Sequence, residues 1–300
     1  MSNAAYMQIK VVGHITQDRI LTPGAPEIRL PGGSAYYSSM ALAALGLKVE
    51  VRTKLAPHDR GLVGELNGVG ATVQVLPSAT TTIFVNAYSG PELAERSQRV
   101  EAVAAPFDAT DLGSPAEVIH LGPLTQQEMG PPIIAAARKL SRVLTLDAQG
   151  LLRRVENGAV VPAPWPDLAV LNGLDILKVD EVEAERMVGE ADPQTAARRL
   201  LDLGVREVLI TFADRGSLLA TSEGLHRLGV VPPPAIVDAT GCGDTYLAGY
   251  VAERMRGRPP LDAAWFAAAA ASLKLAAHGP FRGDAAMVRR HQTGQSLEQQ

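Results

Sequence analysis

The chain has 300 residues, 46% hydrophobic and 4% aromatic, with 28 basic against 32 acidic side chains, a formal charge of −4. A single cysteine excludes an internal disulfide, and no charged-then-apolar leader opens the chain, so a reducing cytoplasm is the expected compartment. The longest low-polarity run, Ala263 to Ala277, is alanine-dominated, carries Lys274 and falls short of the roughly 20 residues a membrane span requires, while the acidic balance offers nucleic acid no basic surface.

In chain order, MQIKVVG from Met7 reads as a strand. Residues 15–31 alternate polar and apolar around a Pro23-Gly24 turn, and Ser34–Leu45 reads as a helix of small residues closed by Gly46. VEVRT is a strand. Residues 80–104 form a second alternating segment with turn chemistry at Ser89-Gly90-Pro91, which with 15–31 predicts a small antiparallel sheet beside the main body. Such an appendage is a lid, an edge or a dimer contact. EVIHLG, RVLTLD, DILKV and REVLITF are strands, with PPIIAAARKL and PQTAARRLLDLG as helices between them. Strands apolar on both faces, alternating with helices, predict a mostly parallel sheet covered on each side. Strand-like VPPPAIV then leads into Gly241-Cys242-Gly243-Asp244 and a helix marked by Leu247, Tyr250, Val251 and Met255. The tail after Met287 (288–300) is polar and predicted to fray.

Two glycine pairs open helices. Glycines at a helix N-terminus let backbone N–H groups approach an anion, and a carboxylate there would repel a resting phosphate. Asp244 is therefore either a base beside an anion hole or a complement to the helix dipole. Gly32-Gly33 permits close approach to a small ligand or is simply a tight turn.

Together, GGSAYYSSMALAALG and DATGCGD resemble the N- and C-terminal signatures of the ribokinase/PfkB family of carbohydrate kinases. Between them, Lys178 to Glu183 is similar to K-x-N-x-x-E, Thr211 to Gly216 to T-x-G-x-x-G, and Gly13 to Asp18 to the first strand; the resemblance covers roughly residues 7 to 283. It implies one domain over 1–300, a three-layer α/β/α sandwich with a mostly parallel central sheet and a β-lid from 15–31 and 80–104. It also implies an ATP-dependent phosphotransferase acting on a hydroxyl of a small sugar or polyol, with Mg²⁺. By position, Asp244 is implied as the base and Gly241, Cys242 and Gly243 as the anion hole. Asp18, Gly32 and Gly33, with Tyr37, are implied on the acceptor side, Thr211 and Gly216 at the nucleotide phosphates, Glu183 at water-bound Mg²⁺, and Asp238 near a monovalent cation such as K⁺. An aspartate lowered further by a helix N-terminus is a weak base but stays ionised, which suffices for a loose phosphoryl-transfer transition state.

Four positions depart from the pattern. Tyr37 replaces an asparagine, which argues against simple ribose. Asp180 replaces the asparagine of N-x-x-E and, at i and i+3, lies on one helical face with Glu183, a second carboxylate for the metal. Ala213 replaces a glycine, which would shift the phosphate loop, and Cys242 replaces alanine, as a packed side chain rather than a reactive thiol. The Asp147-Ala148-Gln149 stretch followed by Arg153 is similar to inositol-kinase-like members and would bring Arg153 to a nucleotide phosphate. No P-loop or dinucleotide fingerprint is present, and the six histidines lack paired metal spacing; His14 and His120, at strand ends, are pocket-lining or structural. A nucleoside kinase and a catalytically silent binding protein on the same fold are the competing readings, and an exposed lid edge would permit a homodimer.

Overall fold

The computed structural model describes residues 8–89, 95–165 and 167–298. The chain enters through β1 (Gln8–Val12), makes β2 (Thr16–Leu21) and β3 (Ile28–Gly32), then α1 (Ser34–Ala44), β4 (Lys48–Leu55), α2 (Gly64–Gly68) and β5 (Thr72–Pro77). β6 (Ile83–Ser89) and β7 (Glu95–Ala102) precede β8 (Ala116–Leu121), α3 (Pro131–Leu140) and β9 (Ser141–Asp147). A short hairpin, β10 (Arg153–Glu156) and β11 (Ala159–Pro162), leads to β12 (Ile176–Asp180), α4 (Glu181–Val188) and α5 (Pro193–Asp202). β13 (Glu207–Thr211), β14 (Ser217–Thr221) and β15 (Gly224–Leu228) come next, then α6 (Cys242–Met255), α7 (Pro260–Leu275) and α8 (Ala285–Glu298).

The main sheet has the order β15-β14-β13-β12-β9-β8-β1-β4-β5, parallel except for the antiparallel β13–β14 and β14–β15 pairs. Its strands read as continuous apolar runs because both faces are covered. Leu209 joins the core under α1, α6 and α7, while its neighbours Val208 and Ile210 join the opposite core under α3, α4 and α5. The architecture is the ribokinase-like α/β/α sandwich that the sequence resemblance implies. The alanine run of α7 serves close helix packing: a Cβ on Gly249 of α6 would lie 3.1 Å from Ala267 Cα.

The lid segments join in one four-stranded sheet, β3-β2-β6-β7. It is not antiparallel throughout, because β2 and β6 pair in parallel. Each first lid strand follows a strand of the parallel main sheet, β1 or β5, so both emerge in the same sense. Register places Asp18, Leu30 and Phe84 on one lid face, while Arg19 and Arg29 lie on the other with the Arg19–Glu27 and Arg29–Glu27 ion pairs. The Pro23-Gly24 turn forms with Gly24 at φ +75°, whereas the turn expected at 89–91 runs outside the described residues.

Two further sequence expectations change, and one hairpin is added. Residues 231–237 form no strand, since Pro232, Pro233 and Pro234 cannot donate to a ladder. The tail expected to fray is helix α8, anchored by fully buried Val288, by Arg289 paired with Glu253, and by a His291–Ser272 hydrogen bond of 3.0 Å. The β10–β11 hairpin was not anticipated although its signal is in the sequence: Asn157 and Gly158, with φ of +50° and +78°, form the two-residue turn that favours Asn-Gly.

Candidate active site

Ligand sites in open parallel sheets form beyond the carboxyl ends of the strands, and here the polar residues gather at those ends. Asp147 closes β9, Asp180 closes β12 and Thr211 closes β13, with the N-termini of α1 and α6 opposite them. Glycines seat the site side chains directly on backbone. A Cβ at Gly32 would lie 2.3 Å from Asp18 Oδ2, and one at Gly241 2.3 Å from Tyr37 Cδ1, so the lid aspartate and the α1 tyrosine each lie on a glycine. Gly33 (φ +90°) and Gly241 (φ +79°) are the N-caps of α1 and α6, both at positive φ that favours glycine, and having no side chain they leave the first amides of both helices uncapped.

Asp244, in the first turn of α6, accepts a hydrogen bond of 2.5 Å from Ser34 Oγ in the first turn of α1. Burial pushes its carboxyl up to about 6, and Asp147 adds to this; Ser34, Lys178 and Arg153 oppose. The helix N-terminus therefore does not set this carboxyl below the ordinary range, as the sequence alone led one to expect. Desolvation and a like charge outweigh it. Cys242 follows the packed expectation: burial raises its thiol to about 11, and Sγ lies 3.7 Å from Ala271 O.

Lys178, buried on β12, donates to Asp147 Oδ2 at 3.0 Å, and a Cβ at Gly243 would lie 3.0 Å from its Nζ. Burial alone would lower this ammonium, but Asp147, Glu183 and Asp244 together hold it above the ordinary lysine range. A fixed positive charge thus abuts the glycine turn. Glu183 and Asp180 form a capping box on α4: Asp180 N donates to Glu183 Oε2 at 2.8 Å and Glu183 N to Asp180 Oδ1 at 2.7 Å. Burial raises Glu183 to about 7; Lys178 opposes, while Asp147 and Asp180 add to the rise. Arg153 donates to Leu124 O at 2.6 Å and to Gln149 Oε1 at 2.9 Å; burial lowers its pKa, with Glu183, Asp147, Glu128 and Asp244 opposing.

Among the described residues no group of three or more His, Cys, Asp and Glu could hold a metal ion by itself. The donor set instead suits Mg²⁺ carried mainly by phosphate oxygens and water, since Glu183 and Asp180 each commit one oxygen to the cap and crowd together with Asp147. The capping box makes Asp180 a helix cap before it is a metal ligand.

Ala213 takes φ +50°, a left-handed conformation that glycine adopts more readily, at a local cost of about 1 kcal/mol. Gly216, at φ +87°, is fixed by packing, because its Cβ would meet Leu228 O at 2.1 Å. Thr211 Oγ1 lies 3.5 Å from Val179 O. Upstream of the Gly241 turn, Ile236 is 83% exposed and Val230 and Val237 are also exposed, forming an apolar lip.

Asp238 does not present open cation ligands. The fully buried Lys274 ammonium donates to Asp238 O at 2.8 Å and Ala277 O at 3.1 Å, and sits 3.5 Å from Asp238 Oδ2. The oxygens beside Asp238, where the sequence resemblance implies a monovalent cation, thus face the Lys274 ammonium. Sequence reasoning did not single out Ser34, Asp147, Lys178 or Lys274 as site residues. The available signal was a lysine inside the apolar β12 run and another inside an alanine-rich helix, each a charge that burial obliges to find partners. His14 and His120 are buried: His14 bonds Thr82 Oγ1 and Ala105 O, each at 3.0 Å, and His120 bonds Thr145 Oγ1 at 2.9 Å.

Comparisons with known proteins accord with this arrangement. The family model described as pfkB family carbohydrate kinase matches residues 80–283. A cytidine kinase of Thermococcus kodakarensis is 25% identical over 84% of this chain and 90% of its own. An inositol 3-kinase of Oryza sativa subsp. japonica is 27% identical over 87% of this chain and 68% of its own. Among solved structures, a pyrophosphate-dependent kinase in the ribokinase family, complexed with a pyrophosphate analogue and myo-inositol, superposes with a TM-score of 0.83 at 27% identity, covering 94% of this chain and 99% of that one.

Proposed function

The chain belongs to the pfkB family of carbohydrate kinases, and from that premise we propose that it transfers a phosphoryl group to a hydroxyl of an inositol-like polyol, with ATP as donor. The observation that carries the reading is Asp244: a carboxylate in the first turn of α6, 2.5 Å from Ser34 Oγ, beside uncapped amides and the Lys178 ammonium. A carboxyl poised at about 6 is largely ionised at neutral pH and a stronger base than an exposed aspartate.

In this mechanism Asp18 on the lid, the Gly32-Gly33 backbone and the Tyr37 hydroxyl hold the acceptor with one hydroxyl against Asp244. Asp244 accepts that proton as the oxygen bonds to phosphorus. The amides of Gly241, Cys242 and Gly243 with Lys178 take the charge of the transferred group, and Arg153, Thr211 and the Gly216 turn hold the rest of the donor. Glu183 and Asp180, through water, would hold Mg²⁺, which supplies charge neutralisation on the donor phosphates.

The inositol-like acceptor is supported by the inositol kinases among the relatives and by Tyr37, whose ring offers a flat face beside Asp18. The exposed Ile236 lip favours a donor with an apolar base. A second reading, pyrophosphate as donor, is favoured by the donor named for the solved relative. The test is a matrix of ATP and pyrophosphate against inositols, ribose, 2-keto sugar acids and cytidine with Mg²⁺, read as ADP or orthophosphate release and repeated with Asp244→Asn. Turnover on inositols with ATP upholds the proposal; turnover confined to cytidine makes the protein a nucleoside kinase, and none on any pair favours a silent binding protein.

A further inference from the structure

We propose that Lys274 is a positioning residue of the anion hole, its ammonium serving as a built-in monovalent cation for residues 238–243, so that turnover needs no K⁺. The proposal rests on the kinase reading above and adds a residue to it.

Lys274 lies in the last turn of α7 with its side chain wholly buried. A buried ammonium persists only when its protons are partnered, and its partners here are the Asp238 carbonyl at 2.8 Å, the Ala277 carbonyl at 3.1 Å and the Asp238 carboxylate at 3.5 Å. Two carbonyls and a carboxylate make an all-oxygen shell of the kind a small hard cation takes. The same aspartate is braced from both sides, by Thr240 N at 2.9 Å on Oδ1 and Gly279 N at 3.3 Å on Oδ2. Val237 N and Asp238 N both donate to Leu275 O, at 2.9 and 3.1 Å. Lys274 thus ties the end of α7 to the strandless segment that, three residues on, becomes Gly241. With no strand to hold 231–240, the ammonium is the fixed point from which the glycine turn is aimed.

The test uses the full chain with Lys274→Met, which fills the space without charge, and Lys274→Gln, which keeps two N–H donors. Each is assayed in choline, Na⁺, K⁺ and NH₄⁺ chlorides at equal ionic strength, with melting temperature measured in the same salts. The native protein is expected to turn over equally in all four. Lys274→Met should lose about 10–100-fold in kcat in choline, the scale of outer-shell substitutions, with acceptor KM little changed. It should regain several-fold in K⁺ or NH₄⁺, and only the variants should melt higher in those salts. A native requirement for K⁺, a folded variant with undiminished kcat, or a loss that no cation restores each overturns the proposal. If Lys274→Met does not fold, the Gln variant decides on the same readouts. Should the native protein turn over no acceptor at all, the kinase reading fails, and the salt-dependent melting of the variants still reports whether a cation enters the vacated shell.

Discussion

Ser34 Oγ and Asp244 Oδ1 lie 2.5 Å apart across 210 residues of sequence, binding the first turn of α1 to the first turn of α6. The hydroxyl donates to the carboxylate and favours its ionised form, against burial and against Asp147. Two helix N-termini from opposite ends of the chain are thereby locked into one constellation.

Ser34→Ala removes that donor and should raise the Asp244 pKa above about 6. A base acts when deprotonated, so the acid limb of kcat/KM moves to higher pH: at pH 6 the variant loses most of its activity, at pH 8 little. A pH profile checks this, and a limb that stays or moves to lower pH would contradict it.

Asp244→Asn should lower kcat by about 10²–10⁴-fold and stabilise the fold at high pH. The folded carboxyl titrates above its ordinary value of 3.8, so ionising it costs folding energy above pH 6 and nothing below pH 4. After allowance for its partial exposure the cost is on the order of 1 kcal/mol, worth roughly 1–2 °C in a chain of this length. Melting at pH 8 and pH 4 should show the gain at the first pH alone.

Lys178→Met leaves Asp147 buried without its 3.0 Å partner and should cost about 3–5 kcal/mol. Adding Asp147→Asn should return much of that stability in denaturant titrations while activity stays low, because the charge beside Gly243 is still missing. Recovery of both together would make Lys178 purely structural.

Ile236→Glu should raise KM for ATP about tenfold, the loss of one apolar contact of 1–2 kcal/mol, and leave any pyrophosphate-supported rate unchanged. Ile236 is 83% exposed, so the fold should not suffer. An unchanged KM for ATP removes the adenine role of the lip.

What was legible in the sequence is what is contiguous. The glycine turns at 32–33 and 241–243, the helix closed by Gly46 and the apolar strands announce themselves locally. Ser34 meeting Asp244 and Lys178 meeting Asp147 depend on chain crossings that no window of sequence contains. The Asp244 titration was misjudged for the same reason: the helix N-terminus is local, whereas desolvation and Asp147 come from the fold. That Ala213 takes φ +50°, a conformation alanine disfavours, is set by the turn around it and not by its own identity. Lys274 counted in the sequence only against a membrane span, because its partners Asp238 and Ala277 are brought to it by the fold.

The parallel pairing of β2 with β6 has a consequence for biosynthesis. The first hairpin leaves the ribosome carrying Ile20, Ile28 and Leu30 and an open strand edge, and its partner begins only at Ile83. At about 5–20 residues per second that edge waits for seconds. Nascent chains stalled after the first hairpin has left the ribosome and before β6 and β7 have followed it should therefore be the ones that aggregate or recruit holdase chaperones, a vulnerability that disappears once the second hairpin has emerged.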